Sequence, residues 1–338
     1  MDVDGETMIP FPYKFKELSI EENNRIKKEF QGYLSGAVRV LPDNYFFQKL
    51  TSWTLYNMFN FAPEVDEIIL MKYNRRCTTW TQEMVWLLQN NFNYEKAKKD
   101  IDDRFPFIEA DSVIDYRVLV NDKIKEEDQA KPGDRLKLAN TIEDPRCLKT
   151  HMPFSLLPTH LLDKCKVIYV ARNPKDVVVS YFHHHRMWIS HGFKGNFKEF
   201  FEYFINENVM WSPFWSHLHE AWERKDHPNM LLLKYDELKL NLPEVIQRTA
   251  KFLGKEISDE AQLSQLCVHL NIESMRGNPS VNQEEATKLG FLDPSEGGFI
   301  RKGKSGGWRE YMDQEMQDKF NSWIDDNSQG LMEKMGWM

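Results

Sequence analysis

The sequence predicts an α/β fold in which helices cover both faces of a mostly parallel sheet. Short apolar runs, typical of buried strands, alternate with longer stretches whose apolar residues recur at helical spacing. No internal repeat is found, and the strands and helices interleave without a clear linker between domains. We therefore expect the chain of 338 residues to form one domain, residues 1–338.

Four short segments are predicted as the strands of this sheet. They lie within residues 65–73, 146–150, 167–171 and 230–235, and the third run is rich in β-branched residues. Strands that are buried on both faces show unbroken apolar runs rather than an alternating pattern. The four runs therefore favour central strands of a parallel sheet.

Helices are predicted where apolar residues recur every three or four positions. One such stripe begins at Trp80, a second stretch spans residues 197–222, and a third spans 242–253 with Gly254 as its stop. A fourth helix is expected to begin after Asn173, which is a good capping residue.

Two segments do not fit the alternation of strands and helices. Residues 121–140 are polar and are predicted as a surface insertion. Residues 277–307 are rich in Gly, Pro, Ser and charged residues and are predicted as a long mobile loop.

The composition excludes several classes of protein. The 44 Lys and Arg against 52 Asp and Glu give a net charge of −8, which argues against general binding of nucleic acid. No apolar run approaches the length of about 20 residues that spans a membrane, and the acidic N-terminal segment lacks the apolar core of a signal peptide. The four cysteines form no CxxC pair, which suits a reducing compartment. We expect a cytoplasmic protein without nucleic-acid or membrane partners.

The first polar stretch that could carry chemistry is residues 72–80, between a predicted strand and a predicted helix. Such a turn aims backbone N–H groups at one point, which suits a phosphate. Arg75 and Arg76 add positive charge, and Thr78 and Thr79 add hydroxyl donors. The alternative is that the arginines are solvated and the threonines only cap the helix, since the stretch is not a GxxxxGK[ST] loop.

The second stretch ends a predicted strand with Lys149 and His151. A histidine can accept a proton near neutral pH, and a lysine two positions earlier lies on the same strand face. Together they could activate a hydroxyl group and stabilise a developing negative charge. The alternative for the histidine is a structural role.

Two further basic stretches complete the pattern. Arg172 precedes the helix that begins after Asn173, with Ser180 further along that helix. Two strand-to-helix turns in a parallel sheet would converge at one crevice. Residues 299–308 place three cations among glycines, which could wrap a phosphate. An arginine paired with a local acid and a flexible basic loop are the alternatives.

In this order, the stretches resemble the cytosolic sulfotransferase family over roughly residues 60–320, and in particular its insect members. The matching segments are YNRRCTTW (73–80), RFPFIE (104–109), KTHMP (149–153), VIYVARNPKDVVVSYFHH (167–184), LLLKYDEL (231–238) and FIRKGKSGGW (299–308). The resemblance implies a three-layer α/β domain. It also implies 3'-phosphoadenosine 5'-phosphosulfate (PAPS) as the sulfuryl donor, with 3'-phosphoadenosine 5'-phosphate (PAP) as the product.

The resemblance also assigns catalytic and acceptor-binding residues. His151 falls at the catalytic base, and Lys149 at a lysine that stabilises the transferring group and helps to hold the acceptor. Arg75 replaces a lysine that contacts the bridging oxygen. Phe107 matches a wall of the acceptor pocket, and His184 faces that pocket. A metal bound by the three consecutive histidines 183–185 is not expected, because neighbours on a helix point about 100° apart.

The donor-binding residues implied by the resemblance lie in several segments. They are Arg75, Arg76, Cys77, Thr78, Thr79, Trp80, Arg172, Ser180, Trp211, Ile272, Arg301, Lys302 and Gly303. Trp80 matches a residue that stacks on adenine, whereas Trp211 and Ile272 stand where the family has Tyr and Phe. Arg172, Ser180 and residues 301–303 match the site of the 3'-phosphate.

Three departures from the family pattern bear on function. Arg75 is planar and bulkier than lysine, and Cys77 replaces a glycine, which would strain the loop if that position needs a positive φ. The family's dimerisation motif is not recognisable after residue 308, so a dimer formed by that motif is not expected.

The sequence thus predicts a PAPS-dependent sulfotransferase that needs no metal and acts on the hydroxyl of a small, largely apolar molecule such as a phenol or steroid. This activity would serve small-molecule metabolism or detoxification. The alternative is a sulfotransferase-like protein that binds a nucleotide or an apolar ligand with little turnover.

Overall fold

The computed structural model describes residues 10–61, 63, 67–73, 78–119, 133–142, 144–300 and 305–337. The strands of these residues are β1 (Lys14–Glu17), β2 (Ala37–Leu41), β3 (Tyr45–Gln48), β4 (Ile68–Met71), β5 (Cys147–Thr150), β6 (Lys166–Ala171) and β7 (Met230–Lys234).

The α-helices of the same residues surround the strands. They are α1 (Ile20–Glu29), α2 (Thr51–Phe59), α3 (Thr78–Gln89), α4 (Ile101–Arg104), α5 (Ala110–Val113), α6 (Asp134–Ala139), α7 (Leu161–Lys164), α8 (Pro174–Met187), α9 (Phe197–Ile205), α10 (Phe214–Glu223), α11 (Tyr235–Leu240), α12 (Leu242–Leu253), α13 (Glu260–His269), α14 (Ile272–Gly277), α15 (Glu284–Lys288), α16 (Gln314–Asn327) and α17 (Leu331–Met335). No helix in these ranges is long and apolar enough to cross a membrane.

The central sheet has the strand order β5-β4-β6-β7, and every neighbouring pair is parallel. Its register places Leu70 between Lys149 of β5 and Ile168 of β6. The four predicted strands are therefore confirmed. The central strands β4 and β6 contain unbroken apolar runs because both of their faces are buried, whereas the edge strand β5 contains Lys149.

Alternate residues of the central strands pack into different cores. In β4, Ile69 and Met71 belong to one apolar cluster, which includes Phe214 of α10. Ile68 and Leu70 belong to a second cluster, which includes Met84 of α3. This division follows from the two-residue period of a strand. It gives the three layers of helix, sheet and helix that the resemblance implied.

A second sheet, formed by β1, β2 and β3, is antiparallel and was not predicted. All four residues of β1 are exposed and all four residues of β3 are buried, so neither strand shows an alternating pattern. The turn between β2 and β3 contains Asn44 at φ 61°. Asparagine tolerates this conformation, and the run Pro-Asp-Asn before Tyr45 was a usable turn signal.

The predicted helix over residues 197–222 is interrupted. It consists of α9 and α10, with Pro213 as the residue that precedes α10. Proline lacks an amide hydrogen and so begins a helix more easily than it continues one. The linking segment also holds Glu207 at φ 57° and Trp211 at φ 62°, which turn the chain between the two helices.

The helices predicted after Asn173 and over residues 242–253 are present. The Asn173 side chain accepts a hydrogen bond from Lys175 N, and Pro174 is the first residue of α8. Gly254 ends α12 at φ 70°, a left-handed conformation that favours glycine.

The structure describes only parts of the two predicted surface segments, residues 121–140 and 277–307. Residues 121–132 of the insertion lie outside the described residues, and its end forms α6. Within 277–307, α15 is formed and Leu292 makes a bridge to Trp188. Residues 301–304 lie outside the described residues. The mobility of this loop stays a prediction.

Candidate functional site

The candidate site lies at the carboxyl edge of the parallel sheet. Strand β6 leads through Arg172 and Asn173 into α8, and β7 leads directly into α11 at Tyr235. Strand β5 ends at Thr150, immediately before His151. Because carboxyl ends of parallel strands share one edge, the turns that follow them meet in one crevice.

One half of the crevice is organised around Tyr235. The guanidinium carbon of Arg172 lies 4.4 Å from the centre of the Tyr235 ring. Lys72 Nζ lies 5.6 Å from the same centre, and the centre of the Trp80 ring lies 6.0 Å away. We call Lys72, Trp80, Arg172 and Tyr235 the Tyr235 cluster. It places two cations beside two aromatic rings. Cations bind phosphates and aromatic rings stack on bases, so this combination suits a purine nucleotide.

The two cations of this cluster are buried. Lys72 is 1% exposed and Arg172 is 8% exposed. Removing a cation from water is unfavourable unless negative charge compensates for it. The Asp176 carboxyl supplies part of that charge to Arg172, and a bound phosphate would add to it.

Two aspartates hold the segment after residue 304 beside this cluster. Gly306 N donates a hydrogen bond of 2.9 Å to Asp176 Oδ2, and the Ser305 hydroxyl donates to Asp236. The Asp176 carboxyl thus accepts a hydrogen bond from a segment outside its own helix. Burial raises the pKa of Asp176, and the Arg172 guanidinium opposes that change.

The other predicted donor-site residues differ in how far the structure describes them. Thr78 and Thr79 are buried in the first turn of α3. Ser180 is half-buried on α8, and Ile272 is half-buried at the start of α14. The remaining predicted residues, Arg75, Arg76, Cys77, Arg301, Lys302 and Gly303, lie outside the described residues.

The other half of the crevice is organised around His151, which is fully buried. His151 Nδ1 lies 2.6 Å from the carbonyl oxygen of Lys72. A carbonyl oxygen only accepts hydrogen bonds, so Nδ1 must carry the proton of this bond. The neutral ring then has its lone pair at Nε2, the tautomer that a general base acting through Nε2 needs.

Glu109 fixes the backbone of His151. His151 N donates a hydrogen bond of 2.5 Å to Glu109 Oε1. Burial raises the pKa of Glu109 to about 8, and the hydrogen bond from His151 opposes this rise. The site-residue prediction did not include Glu109, although it lies in the segment RFPFIE. A charged residue within an apolar segment was the available signal.

Aromatic rings surround the His151 side chain. The centres of the Phe107 and Trp211 rings each lie 4.9 Å from the centre of the imidazole. Trp211 was predicted in the donor site, at the position of a family tyrosine. The structure places Trp211 beside His151, and its assignment to the donor site stays a prediction. Trp211 has a left-handed backbone conformation, which turns the chain so that the Trp211 side chain lies near His151. Sequence similarity does not reveal such a conformation.

Lys149 lies close to the same rings. Its Nζ lies 5.0 Å from the centre of Phe107, and its side chain is only 5% exposed. Nζ also lies 3.4 Å from Gln82 Oε1 and 3.7 Å from Asp102 Oδ1. The predicted pair of Lys149 and His151 is thus found with Phe107 in one buried group.

The side chains of the three consecutive histidines diverge. His183 Nε2 lies 2.8 Å from the Tyr311 hydroxyl, whereas His185 Nε2 lies 3.4 Å from the Tyr33 hydroxyl. Burial lowers the pKa of His185 to about 3. Among the described residues, no group of three or more His, Cys, Asp or Glu side chains could hold a metal ion.

His184 is connected to His151 through a series of ring contacts. Its ring centre lies 6.0 Å from that of Tyr181, with 22° between the planes. The Tyr181 ring lies 6.5 Å from Trp211 at 28°, and the Trp211 ring lies 4.9 Å from His151 at 59°. A row of buried rings therefore extends from the imidazole to His184.

Comparison with known proteins identifies the family. A sulfotransferase domain matches residues 65–336. The luciferin sulfotransferase of Photinus pyralis is 36% identical over 263 residues, which cover 76% of this chain and 70% of the relative. The sulfotransferase 1 family member D1 of Mus musculus is 34% identical over 79% of this chain and 84% of the relative. The chain belongs to the sulfotransferase family.

Solved structures agree with this assignment. Retinol dehydratase in a complex with retinol and PAP has a TM-score of 0.87 and 35% identity over 95% of this chain and 98% of that chain. The same enzyme with androsterone and PAP also has a TM-score of 0.87. The predicted α/β fold and family are confirmed, and the protein is a PAPS-dependent sulfotransferase.

Proposed function

We propose that this protein transfers the sulfuryl group of PAPS to the hydroxyl of a small, largely apolar acceptor, with His151 as the general base. The observation that carries this assignment is the hydrogen bond from Nδ1 to the Lys72 carbonyl. It keeps the proton on Nδ1 and leaves the lone pair on Nε2. An alcohol is a poor nucleophile, so its proton must leave as the new S–O bond forms.

Lys149 is proposed to stabilise the transferring group. Sulfuryl transfer, like phosphoryl transfer, spreads negative charge over equatorial oxygens and depends on cations held in place. Lys149 lies two residues before His151 and is buried with it. A buried cation acts more strongly on developing charge than a solvated one. Arg75, which lies outside the described residues, is proposed to assist the leaving group.

The Tyr235 cluster is proposed to hold the donor. Arg172, with Ser180 and the predicted residues 301–303, would bind the 3'-phosphate, and Trp80 would stack on the adenine. The buried cations Lys72 and Arg172 beside aromatic faces fit a ligand of this kind. Thr78 and Thr79, in the first turn of α3, would hold the 5'-phosphosulfate.

The acceptor is proposed to lie between Phe107, Trp211 and His184. Rings along this path favour a flat or extended apolar molecule with one hydroxyl near His151. The ligands of the retinol dehydratase structures, retinol and androsterone, are alcohols of this type. A phenol, steroid or isoprenoid alcohol is therefore the first class to test.

Several expectations remain predictions: the cytoplasmic location, the absence of a metal requirement, and the absence of a dimer formed by the family motif. Sulfate transfer in the presence of EDTA tests the metal requirement. Light scattering of the purified protein tests the oligomeric state.

Calorimetric titration with PAP, with AMP as control, tests the donor site. Both carry a 5'-phosphate and adenosine, so only the 3'-phosphate distinguishes them. We expect micromolar binding of PAP and at least about tenfold weaker binding of AMP, because charge-assisted contacts to the 3'-phosphate would be lost. Equal affinities would refute the proposed role of Arg172. Tight binding of PAP without sulfate transfer to phenols, steroids or isoprenoid alcohols would favour the binding protein with little turnover.

A further inference from the structure

Lys149 is held by groups that the catalytic assignment does not include. Its Nζ donates a hydrogen bond to Gln82 Oε1 at 3.4 Å and forms an ion pair with Asp102 Oδ1 at 3.7 Å. The Asp102 side chain is 26% exposed, whereas the Lys149 side chain is 5% exposed. The lysine thus extends from a buried strand toward a carboxylate near the surface.

Asp102 supplies negative charge that a second nearby carboxyl group does not. Glu109 also interacts electrostatically with Lys149, but burial raises the pKa of Glu109 to about 8. Burial thus favours the neutral form of Glu109, whereas the Asp102 side chain is 26% exposed and has water on one side. Compensation of a buried ammonium group requires an ionised partner.

The second carboxylate oxygen of Asp102 is bound from another part of the chain. Gln283 Nε2 donates a hydrogen bond of 3.2 Å to Asp102 Oδ2. Gln283 is 7% exposed and has φ 62°, a left-handed conformation that costs about 1 kcal/mol for a residue other than glycine. Ile101 N also donates to Ser280 O at 2.9 Å, so two hydrogen bonds join α4 to the segment after α14.

We propose that Asp102 and Gln283 are positioning residues that hold Lys149 in place for sulfuryl transfer. They form a relay from the segment after α14, through a carboxylate, to the ammonium group beside His151. Movement of that segment would then change the position of Lys149. The proposal rests on the proposed function of Lys149 in the reaction.

The variant Asp102→Asn tests the relay, because the amide keeps the shape and an acceptor for Gln283 but loses the charge. We expect kcat to fall about 10- to 100-fold, as for a catalytic group displaced by about 1 Å, with the Kd for PAP unchanged. Asp103→Asn is the matched control, since Asp103 is 51% exposed and pairs with Lys99 only at 4.0 Å. Equal activity of the Asp102→Asn and Asp103→Asn variants would overturn the proposal.

A double-mutant cycle separates positioning from a general structural effect. In a Lys149→Met background, Asp102→Asn should change the residual kcat by less than about twofold, because its target is gone. The same fold-reduction in both backgrounds would overturn the relay. Gln283→Met, which removes the side-chain amide that donates to Asp102, should also lower kcat, by about 2- to 10-fold.

NMR titration of Lys149 Nζ, assigned with the Lys149→Met variant, gives a readout that needs no activity. Loss of the opposite charge in Asp102→Asn should move the titration midpoint to lower pH by about one pH unit or more, whereas Asp103→Asn should leave it unchanged. Glu109 also interacts with Lys149, but neither variant changes Glu109, so it does not contribute to the difference between them. An unmoved midpoint refutes the ion pair. If the wild-type protein transfers no sulfate, the proposed function fails, and this titration still decides the relay.

Discussion

Replacement of Glu109 by glutamine should remove a large pH dependence from the stability of the protein. Glu109 is fully buried, and its Oε1 accepts the hydrogen bond from His151 N. The carbonyl oxygen of a glutamine can accept the same bond. The substitution can therefore keep the contact that orients the His151 backbone while it removes the titration.

The magnitude follows from the pKa of Glu109, which burial raises from 4.5 to about 8. Below pH 4.5 the carboxyl is protonated in both the folded and the unfolded chain. Between that pH and about 8, the folded chain keeps the proton that the unfolded chain has lost. The free energy of unfolding thus falls as pH rises, by about 1.4 kcal/mol per pH unit and about 5 kcal/mol in all.

Urea denaturation at intervals from pH 5 to pH 9 measures this effect. The free energy of unfolding of the Glu109→Gln variant, minus that of the wild type, should increase with pH and level off above about pH 8. Glu202→Gln is the control, because Glu202 is 42% exposed and should leave the wild-type slope unchanged. A difference between Glu109→Gln and wild type that is constant across pH would refute the raised pKa.

Three further predictions concern the two halves of the site. Arg172→Met should weaken PAP binding about 10- to 100-fold in calorimetry while AMP binding changes little; equal losses for both nucleotides would contradict a contact with the 3'-phosphate. Trp211→Leu should raise KM for the acceptor about tenfold and leave the Kd for PAP unchanged; the reverse pattern would return Trp211 to the donor site. Arg75→Ala should lower kcat by about tenfold or more in a sulfate-transfer assay; an unchanged kcat would show that the loop is no longer catalytic.

The parallel sheet could be predicted because its strands carry their signal locally. The run Ile68-Ile69-Leu70-Met71 has no polar residue, since its alternate side chains enter two different cores. The antiparallel sheet was missed, although β2 and β3 are also short and mostly apolar. Its edge strand β1 is exposed and charged, and its stability depends on pairing with a distant β2.

The site was predicted best where a residue directly follows a strand. His151 and Arg172 lie within one residue of a strand end, so the topology alone fixes their edge of the sheet. Trp211 lies in a link between helices, where one left-handed residue decides which way the chain turns. Tyr235 also follows a strand directly. Its proposed role, however, depends on Arg172 and Lys72 both lying near its ring, and contacts between residues distant in sequence are visible only in the folded structure.

The central claim is that His151 removes the proton of the acceptor hydroxyl. The most direct test is single-turnover sulfate transfer from PAPS by His151→Asn, together with calorimetric measurement of PAP binding by the same variant. We expect a rate lower by about 10²- to 10⁴-fold, with the Kd for PAP within a few-fold of the wild-type value. Loss of PAP binding would instead make His151 a structural residue. A rate close to that of the wild type would contradict its role as the base.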